Sequence, residues 1–281
     1  MALKTKNPKV SIIIPTHNSA ETLPECLRSV QTQTYRNLEI IVVDSYSDDE
    51  TAKIAESFGA TVILRKSNQA EARNVAVAKS NGDYVFFLDS DQTLSPSVIE
   101  ESVEKSEREK AGMVRIPEVF VGTSYWGICS AAWKNYYENV EFLYRHGEGL
   151  MHGEPRFFVK SRLQDIGAFD ATLVWGEDYD LLERLRRARV KEAFCNSVLY
   201  HRESTSLKQI LLKNLRYGKS MPLFVKQTEN LIFPRMITHA LLTFAEMIKD
   251  AQKLGVIMGC FLLFAVKSSS MFIGMLRGIG P

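Results

Sequence analysis

The sequence predicts an α/β fold built on a mainly parallel sheet and followed by a helical C-terminal region. Over the first hundred residues, short β-rich runs alternate with stretches of helical periodicity. Polar residues stand just after the β-rich runs, at Asn18, Asp44 and Asp89. From Arg202 onward the chain turns basic and apolar.

Val10 to Ile14 reads as a short buried strand, broken by Pro15-Thr16-His17-Asn18, after which Leu23, Leu27 and Val30 recur at helical spacing. The unit then repeats. Leu38 to Val43 is β-rich and ends in Asp44, Ser45 to Asp49 is polar, and Thr51 to Phe58 returns to helical spacing before Gly59. A third strand is expected at Thr61 to Leu64. Gln69 to Lys79 carries Ala70, Ala72, Val75, Ala76 and Ala78 in a helix-favouring stretch closed by Asn81-Gly82, and Tyr84 to Leu88 is an apolar strand running into Asp89. Such alternation places helices on both faces of a parallel sheet and the ligand site at the carboxyl ends of its strands.

After Pro96 a charged helix is expected to about Lys110, then one strand over Gly112 to Val121, then a helix with aromatics over Tyr125 to Tyr144. His146 to Glu154, with three glycines, reads as a loop, either a mobile cover for donor or acceptor or an ordinary surface loop. Arg156 to Val159 resumes a strand, and Asp165-Ile166-Gly167 turns. Trp175-Gly176-Glu177-Asp178 opens a helix, Tyr179 to Arg189, with acids in its first turn and arginines toward its end.

At 281 residues the chain accommodates one catalytic unit with an appendage. The net charge of +2, from 35 basic and 33 acidic residues, gives a nucleic-acid partner no support. Cys26, Cys129, Cys195 and Cys260 are widely spaced with no C-x-x-C pair, which speaks against a zinc knuckle or a disulfide framework. Met1 to Val10 is short and basic and lacks the apolar core of a signal peptide.

Asp89-Ser90-Asp91 follows an apolar strand, so its two carboxylates can face one cleft, where a hard divalent cation would bridge them to phosphate oxygens. On spacing alone a solvated strand-end loop explains the same residues. Asp44 offers a second acid at a strand end, able to accept from a nucleobase or ribose. Glu177-Asp178 supplies acids at a helix start, a place that the helix dipole favours in any case.

Five segments in order resemble the family-2 glycosyltransferases: VSIIIPTHN (Val10 to Asn18), IIVVDSYSDDET, Glu71-Ala72-Arg73-Asn74, FFLDSD and WGEDYDL. The resemblance covers about the first two hundred residues. It implies a GT-A fold, a Rossmann-like nucleotide-sugar-binding catalytic domain over residues 1–203, with the nucleotide and metal half ending near 115 and the acceptor half running from 116 to 203. It further implies that Pro15, Thr16 and Asn18 line the nucleotide pocket, that Asp44 contacts the base, and that Arg73 lies near the pyrophosphate. Asp89, Ser90 and Asp91 would hold ribose and metal, Asp91 being the direct ligand ahead of Asp89 for Mn²⁺ or Mg²⁺. His201, within Tyr200-His201-Arg202-Glu203, stands where a histidine completes metal coordination in similar enzymes, although a structural role explains it equally well. Asp178 would be the base that deprotonates the acceptor hydroxyl, with Glu177 in support, giving inversion at the sugar.

A UDP-sugar is the favoured donor by the same resemblance, and a GDP-sugar stays open. No Q-x-x-R-W element follows Asp178, which favours transfer of single sugars over processive synthesis. Two other readings compete. A nucleotidyltransferase would need a glycine-rich basic phosphate loop, and Pro15 to Ala20 has neither glycine nor base. A non-catalytic, membrane-tethered sugar-nucleotide-binding module is disfavoured by the intact Asp89, Asp91 and Asp178.

Residues 204–281 are expected to form amphipathic and hydrophobic helices. From Arg202 to Arg235 seven Lys and Arg face only Glu203 and Glu229, and Leu207, Ile210, Leu211 and Leu215 form one helical stripe. The basic helix would lie on an anionic membrane or pack with its charges solvated. Leu254 to Val266 is uncharged for thirteen residues, too short to cross hydrocarbon unless it continues past Lys267. With Met236 to Ile248 it reads as a monotopic hairpin or interfacial helices at the cytoplasmic membrane face, near a lipid-linked or glycan acceptor. A homo-oligomer formed through these helices is the soluble alternative.

Overall fold

The computed structural model describes residues 7–143, 156–203, 206–227, 232–249 and 254–278, which fall into two compact units. The first takes residues 7–117, 156–172 and 177–200, and the second takes 118–143, 173–176 and the described residues from 201 on. In chain order the elements begin β1 (Val10–Thr16), α1 (Leu23–Gln31), β2 (Leu38–Asp44), α2 (Thr51–Ser57), β3 (Thr61–Leu64), α3 (Gln69–Lys79) and β4 (Tyr84–Phe87). Then follow β5 (Gln92–Leu94), α4 (Val98–Glu109), β6 (Met113–Arg115), β7 (Glu118–Val121), α5 (Tyr125–Leu143), β8 (Phe157–Val159) and α6 (Lys160–Asp165). The rest are α7 (Glu177–Arg187), β9 (Glu192–Phe194), β10 (Leu199–Arg202), α8 (Leu207–Gln227), α9 (Ile232–Lys249) and α10 (Leu254–Gly278).

The first unit is organised by a seven-stranded sheet of order β3-β2-β1-β4-β8-β6-β9. β1 pairs in parallel with β2 and β4, β2 with β3, and β6 with β9, while β8 runs antiparallel to β4 and β6. The chain steps outward from β1 to β2 and β3, then returns to β4 on the other side of β1. That reversal opens a crevice at the carboxyl ends of β1 and β4, the usual ligand position in open α/β sheets. The register sets Thr16 opposite Asp44 at that end.

Both faces of the sheet are covered, which is why its strands read as continuous apolar runs and not as alternation. Ile12, Ile14, Val42 and Phe86 point to the layer of α1 and α4, where they meet Leu23, Leu27, Val98 and Ile99. Ile13, Val43, Val85 and Phe87 point to the opposite layer and meet Ala76 and Val77 of α3 and Leu181, Leu182 and Leu185 of α7. Neighbouring residues of one strand thus feed two separate cores.

The strand expected over Gly112 to Val121 is two strands, β6 and β7, parted at Ile116-Pro117, where proline has no N–H to give a ladder. The boundary between units is not a single cut near 203 either, because β7 and α5 group with the C-terminal helices. The loop expected at His146 to Glu154 lies outside the described residues, as does Tyr144.

In the second unit α5, α8, α9 and α10 share a core of Cys129, Ile210, Phe244, Met247, Ile257, Cys260 and Leu263. Trp133 packs on Phe244, ring centroids 4.5 Å apart. α8 and α10 touch backbone to backbone: a Cβ at Gly218 would strike the Met271 carbonyl oxygen, and one at Gly274 the Leu215 carbonyl oxygen. α10 runs unbroken past Lys267, and among the described residues it is the one helix long and apolar enough to cross a membrane by length and composition.

Glu101 on α4 fastens the stretch after β9, accepting from the backbone N–H groups of Asn196 at 2.7 Å and Ser197 at 2.8 Å. Burial pushes its carboxyl up, but these hydrogen bonds outweigh burial and bring it from the ordinary 4.5 to about 2. A depressed folded-state value means stabilisation that is present above the unfolded value and lost as pH falls toward the folded one. Glu101→Gln is therefore expected to cost about 1–2 kcal/mol at neutral pH, discounted for solvent screening. Urea unfolding at a series of pH values checks this: the penalty should shrink between about 4.5 and 2, and a penalty constant across that window would refute the assignment.

Candidate active site

The loop after β1, the loop after β2 and the loop after β4 meet at the carboxyl edge of the sheet, tied together by short polar side chains. Asp44, 1% exposed, accepts from Thr16 Oγ1 at 2.9 Å, from Ser47 Oγ at 2.5 Å and from the Ser47 N–H at 2.9 Å. Asn18, held at a positive φ of 52°, accepts from the Asp48 N–H through Oδ1 and donates its own N–H to Ser47 Oγ. Ser90 Oγ donates to Ser19 Oγ at 2.9 Å, joining the third loop to the first. Thr16, Asn18, Asp44 and Ser90 are thus brought together as a cradle, with Pro15 half-buried at the end of β1. Asp44 serves this cradle with both carboxylate oxygens, a structural duty added to the expected contact with a base. On the same loop Tyr46 is 59% exposed at a φ of 52°, an aromatic face on this edge that sequence reasoning passed over.

Beside the cradle lies a buried charge cluster. α3 starts at Asn68, whose Oδ1 caps the Glu71 N–H at 2.8 Å, and this fixes which way the first turn faces. Arg73, one turn on, is 1% exposed. Its Nη1 donates to Asp178 Oδ1 at 2.8 Å and lies 3.7 Å from Glu177 Oε1, and its Nη2 donates to Asp89 Oδ1 at 3.2 Å. The guanidinium carbon stands 5.7 Å from the Phe87 ring centre and 5.1 Å from that of Phe169. Asn74 keeps Phe169 there by a two-way bond with its backbone, Nδ2 to O at 2.8 Å and N–H to Oδ1 at 3.0 Å.

Asp89 is held from three more sides. Arg156, fully buried at the start of β8, donates from Nη1 to Asp89 Oδ2 at 3.0 Å, Gln69 Nε2 donates to Oδ1 at 2.7 Å, and the Asp89 N–H donates to Gln92 Oε1 at 2.9 Å. Arg156, Gln69 and Gln92 were not singled out from the sequence. Arg156 stood out there as a strand start and as the residue beyond the expected 146–154 loop, and nothing in its neighbours signals that it faces Asp89.

Glu177 and Asp178 open α7, where the helix dipole favours them, and Gly176 takes a φ of 86° just before. The cluster sets two guanidiniums against the carboxylates of Asp89, Glu177 and Asp178, with Asp91 in the adjoining loop. That excess of acid, with hard oxygen donors, suits a divalent cation. Among the described residues no three His, Cys, Asp or Glu gather closely enough to hold a metal by themselves. A cation at Asp91 would accordingly draw further oxygens from a diphosphate and water, as Mg²⁺ commonly does. His201 belongs to the second unit, where Nδ1 meets Glu118 Oε2 at 3.2 Å and the ring lies 5.2 Å from that of Phe120.

The sequence model of glycosyl transferase family 2 matches residues 11–167. An uncharacterized glycosyltransferase of Rickettsia prowazekii is 33% identical over 183 residues, 62% of this chain and 58% of its own length. The glycosyltransferase AglE of Haloferax volcanii is 27% identical over 222 residues, 75% of this chain and 72% of its own. The alignment therefore spans under two thirds of the Rickettsia relative. Among solved structures, the mannosyltransferase PcManGT from Pyrobaculum calidifontis, in complex with GDP-Man and Mn²⁺, superposes with a TM-score of 0.63 at 17% identity, covering 98% of this chain and 88% of that one. S. aureus TarS in complex with UDP-GlcNAc gives a TM-score of 0.56 at 14% identity, covering 96% and 90%. At such identities the likeness speaks for a shared GT-A fold.

Arg73→Leu would take the Arg73 cation from Asp178 and Glu177 and leave Asp89 its bond to Arg156. It is expected to cost about 3–5 kcal/mol and to lower Tm by roughly 10 °C in differential scanning calorimetry. Asp178→Asn, which keeps an acceptor oxygen for Arg73, should cost under about 1 kcal/mol. Equal stability of Arg73→Leu and the parent would show that the cluster does not carry the fold.

Proposed function

The chain belongs to glycosyl transferase family 2, and on that footing we propose that it is a metal-dependent, inverting and non-processive glycosyltransferase using a nucleotide diphosphate sugar. The observation that carries the proposal is that one guanidinium, that of Arg73, holds both Asp178 and Asp89. The acid expected to activate the acceptor and the acid expected to receive the donor are thereby one side chain apart. Holding the two acids in one fixed arrangement favours displacement at the sugar by orienting the reactants.

In this reading Pro15, Thr16, Asn18 and Ser90 line the nucleotide pocket, and Asp44 organises the edge against which the base lies. Asp91, with Asp89 and His201 as further candidate ligands, holds Mn²⁺ or Mg²⁺. The cation, when bound, neutralises charge on the departing diphosphate. Asp178 takes the proton of the acceptor hydroxyl as that oxygen attacks the sugar carbon from the face opposite the leaving group. Glu177 balances the charge of Arg73 so that Asp178 stays oriented. Arg73 and Arg156 hold the two carboxylate oxygens of Asp89 from opposite elements.

A UDP-sugar is favoured as donor and a GDP-sugar is the alternative; neighbours of this fold were solved with UDP-GlcNAc and with GDP-Man and Mn²⁺. The acceptor is a lipid-linked or glycan hydroxyl, reached from the cytoplasmic membrane face through the C-terminal helices. The apolar length of α10 supports that attachment.

Calorimetric titration with UDP and GDP, each with Mn²⁺, Mg²⁺ or chelator, tests the donor site. Binding of one nucleotide is expected, lost with chelator and in Asp91→Ala; no binding by folded protein under any metal condition would overturn the donor assignment. Asp178→Asn should lower kcat by roughly 10²–10⁴ while nucleotide affinity stays near that of the parent. Activity equal to the parent would remove Asp178 from the mechanism.

A further inference from the structure

α10 carries large apolar side chains on both faces. Its inner face sets Ile257 and Leu263 in the core beside Cys260, Lys267, Ser270 and Gly274, and the Lys267 Nζ donates inward to Ser130 Oγ on α5 at 3.1 Å. Its outer face carries Met258, Phe261, Leu262, Phe272, Ile273 and Leu276, each 45–65% exposed. At the exposed, described positions of α10 only Ser268, Ser269 and Arg277 are polar. α9 exposes two more large apolar side chains, Leu241 and Ile248. A helix that turns its lysine inward and its phenylalanines outward is arranged for a medium other than water.

The neighbouring helix says which medium. α8 has no acidic residue, and Lys208, Lys213, Arg216 and Lys219 are exposed on it, with Leu212 among them and Leu223 one turn beyond. A cationic helix studded with leucines and packed against one with an apolar outer face complements anionic lipid headgroups above acyl chains. A second copy meeting this face about a two-fold axis would set these cations against their equivalents.

The packing also fixes how α10 lies. It is joined to α8 through Gly218 and Gly274, where no Cβ would fit. If α10 crossed a bilayer, α8 would be drawn in with its exposed lysines and arginine, and charges at membrane depth are strongly disfavoured. We infer that the second unit seats on an anionic lipid surface, with α10 lying in the plane of the interface instead of crossing it. This inference rests on the membrane attachment proposed above and specifies its geometry and the lipid chemistry it needs.

Two experiments on the full chain test it. In flotation, the protein should bind vesicles of phosphatidylcholine mixed with phosphatidylglycerol and release in high salt. Binding to phosphatidylcholine alone should be at least roughly tenfold weaker, and K208E combined with K219E should lose a similar factor on the mixed vesicles. In membranes of expressing cells, L254C and R277C, at the two exposed ends of α10, should react with an impermeant maleimide from the same side, and the native cysteines, being buried, should not interfere. Labelling of the two from opposite sides would show that α10 crosses. A dimer that ignores vesicles of either composition would assign the face to a second copy. Either result would overturn the inference, while nucleotide titration in solution would still report separately on the proposed chemistry.

Discussion

Arg73 can hold three carboxylates at once only because it is withdrawn from water. Its guanidinium is flanked by Phe87 and Phe169 and meets Asp89, Asp178 and Glu177. Desolvating such a cation costs several kcal/mol, and the acids around it offset that cost only while each stays in place. The dependence is mutual. The strand that ends in Asp89 and the helix that opens with Glu177 come from segments about ninety residues apart in sequence, and one side chain makes the position of each conditional on the other.

The same constraint explains why the pieces around the cluster look as they do. Asn68 must cap α3 so that Arg73 emerges on the correct side, and Asn74 must grip the Phe169 backbone so that the second ring stays in contact. Glu71 completes the motif from the outer side, taking Arg65 at 2.7 Å. Within Glu71-Ala72-Arg73-Asn74, therefore, one residue reaches to the surface, one packs, one holds the acids and one holds the loop behind them. Arg156 repeats the principle from β8, where the antiparallel strand delivers a second buried guanidinium to the far oxygen of Asp89.

How much of this could be read from the chain depends on the range of each interaction. The alternating strands and helices of the first hundred residues were legible because local signals agree: apolar runs of strand length, Pro15 and Gly59 as breaks, alanines over α3. Asp89, Asp178 and Arg73 were legible as members of recurring segments, whereas their mutual contacts were not. No periodicity reveals that a helix residue spans two other elements. Arg156 escaped notice for the same reason, its role being set wholly by a strand pairing between residues some seventy positions apart. The single strand expected over Gly112 to Val121 failed for a local reason, the proline at 117, which the apolar pattern on both sides concealed.

The C-terminal helices make the converse point. Counting uncharged residues stops α10 at Lys267, because a charge in an apolar run reads as an end. The helix runs on because Lys267 turns toward Ser130, so its charge is spent inside the unit and adds nothing to the outer face. Whether a lysine interrupts an apolar surface is thus a matter of where the ammonium points, and hydropathy summed along a sequence has no access to direction. In each unit some charges act by facing inward. Arg73 and Arg156 do so to fix acids at a sheet edge, and Lys267 does so to leave a helix smooth on its other side.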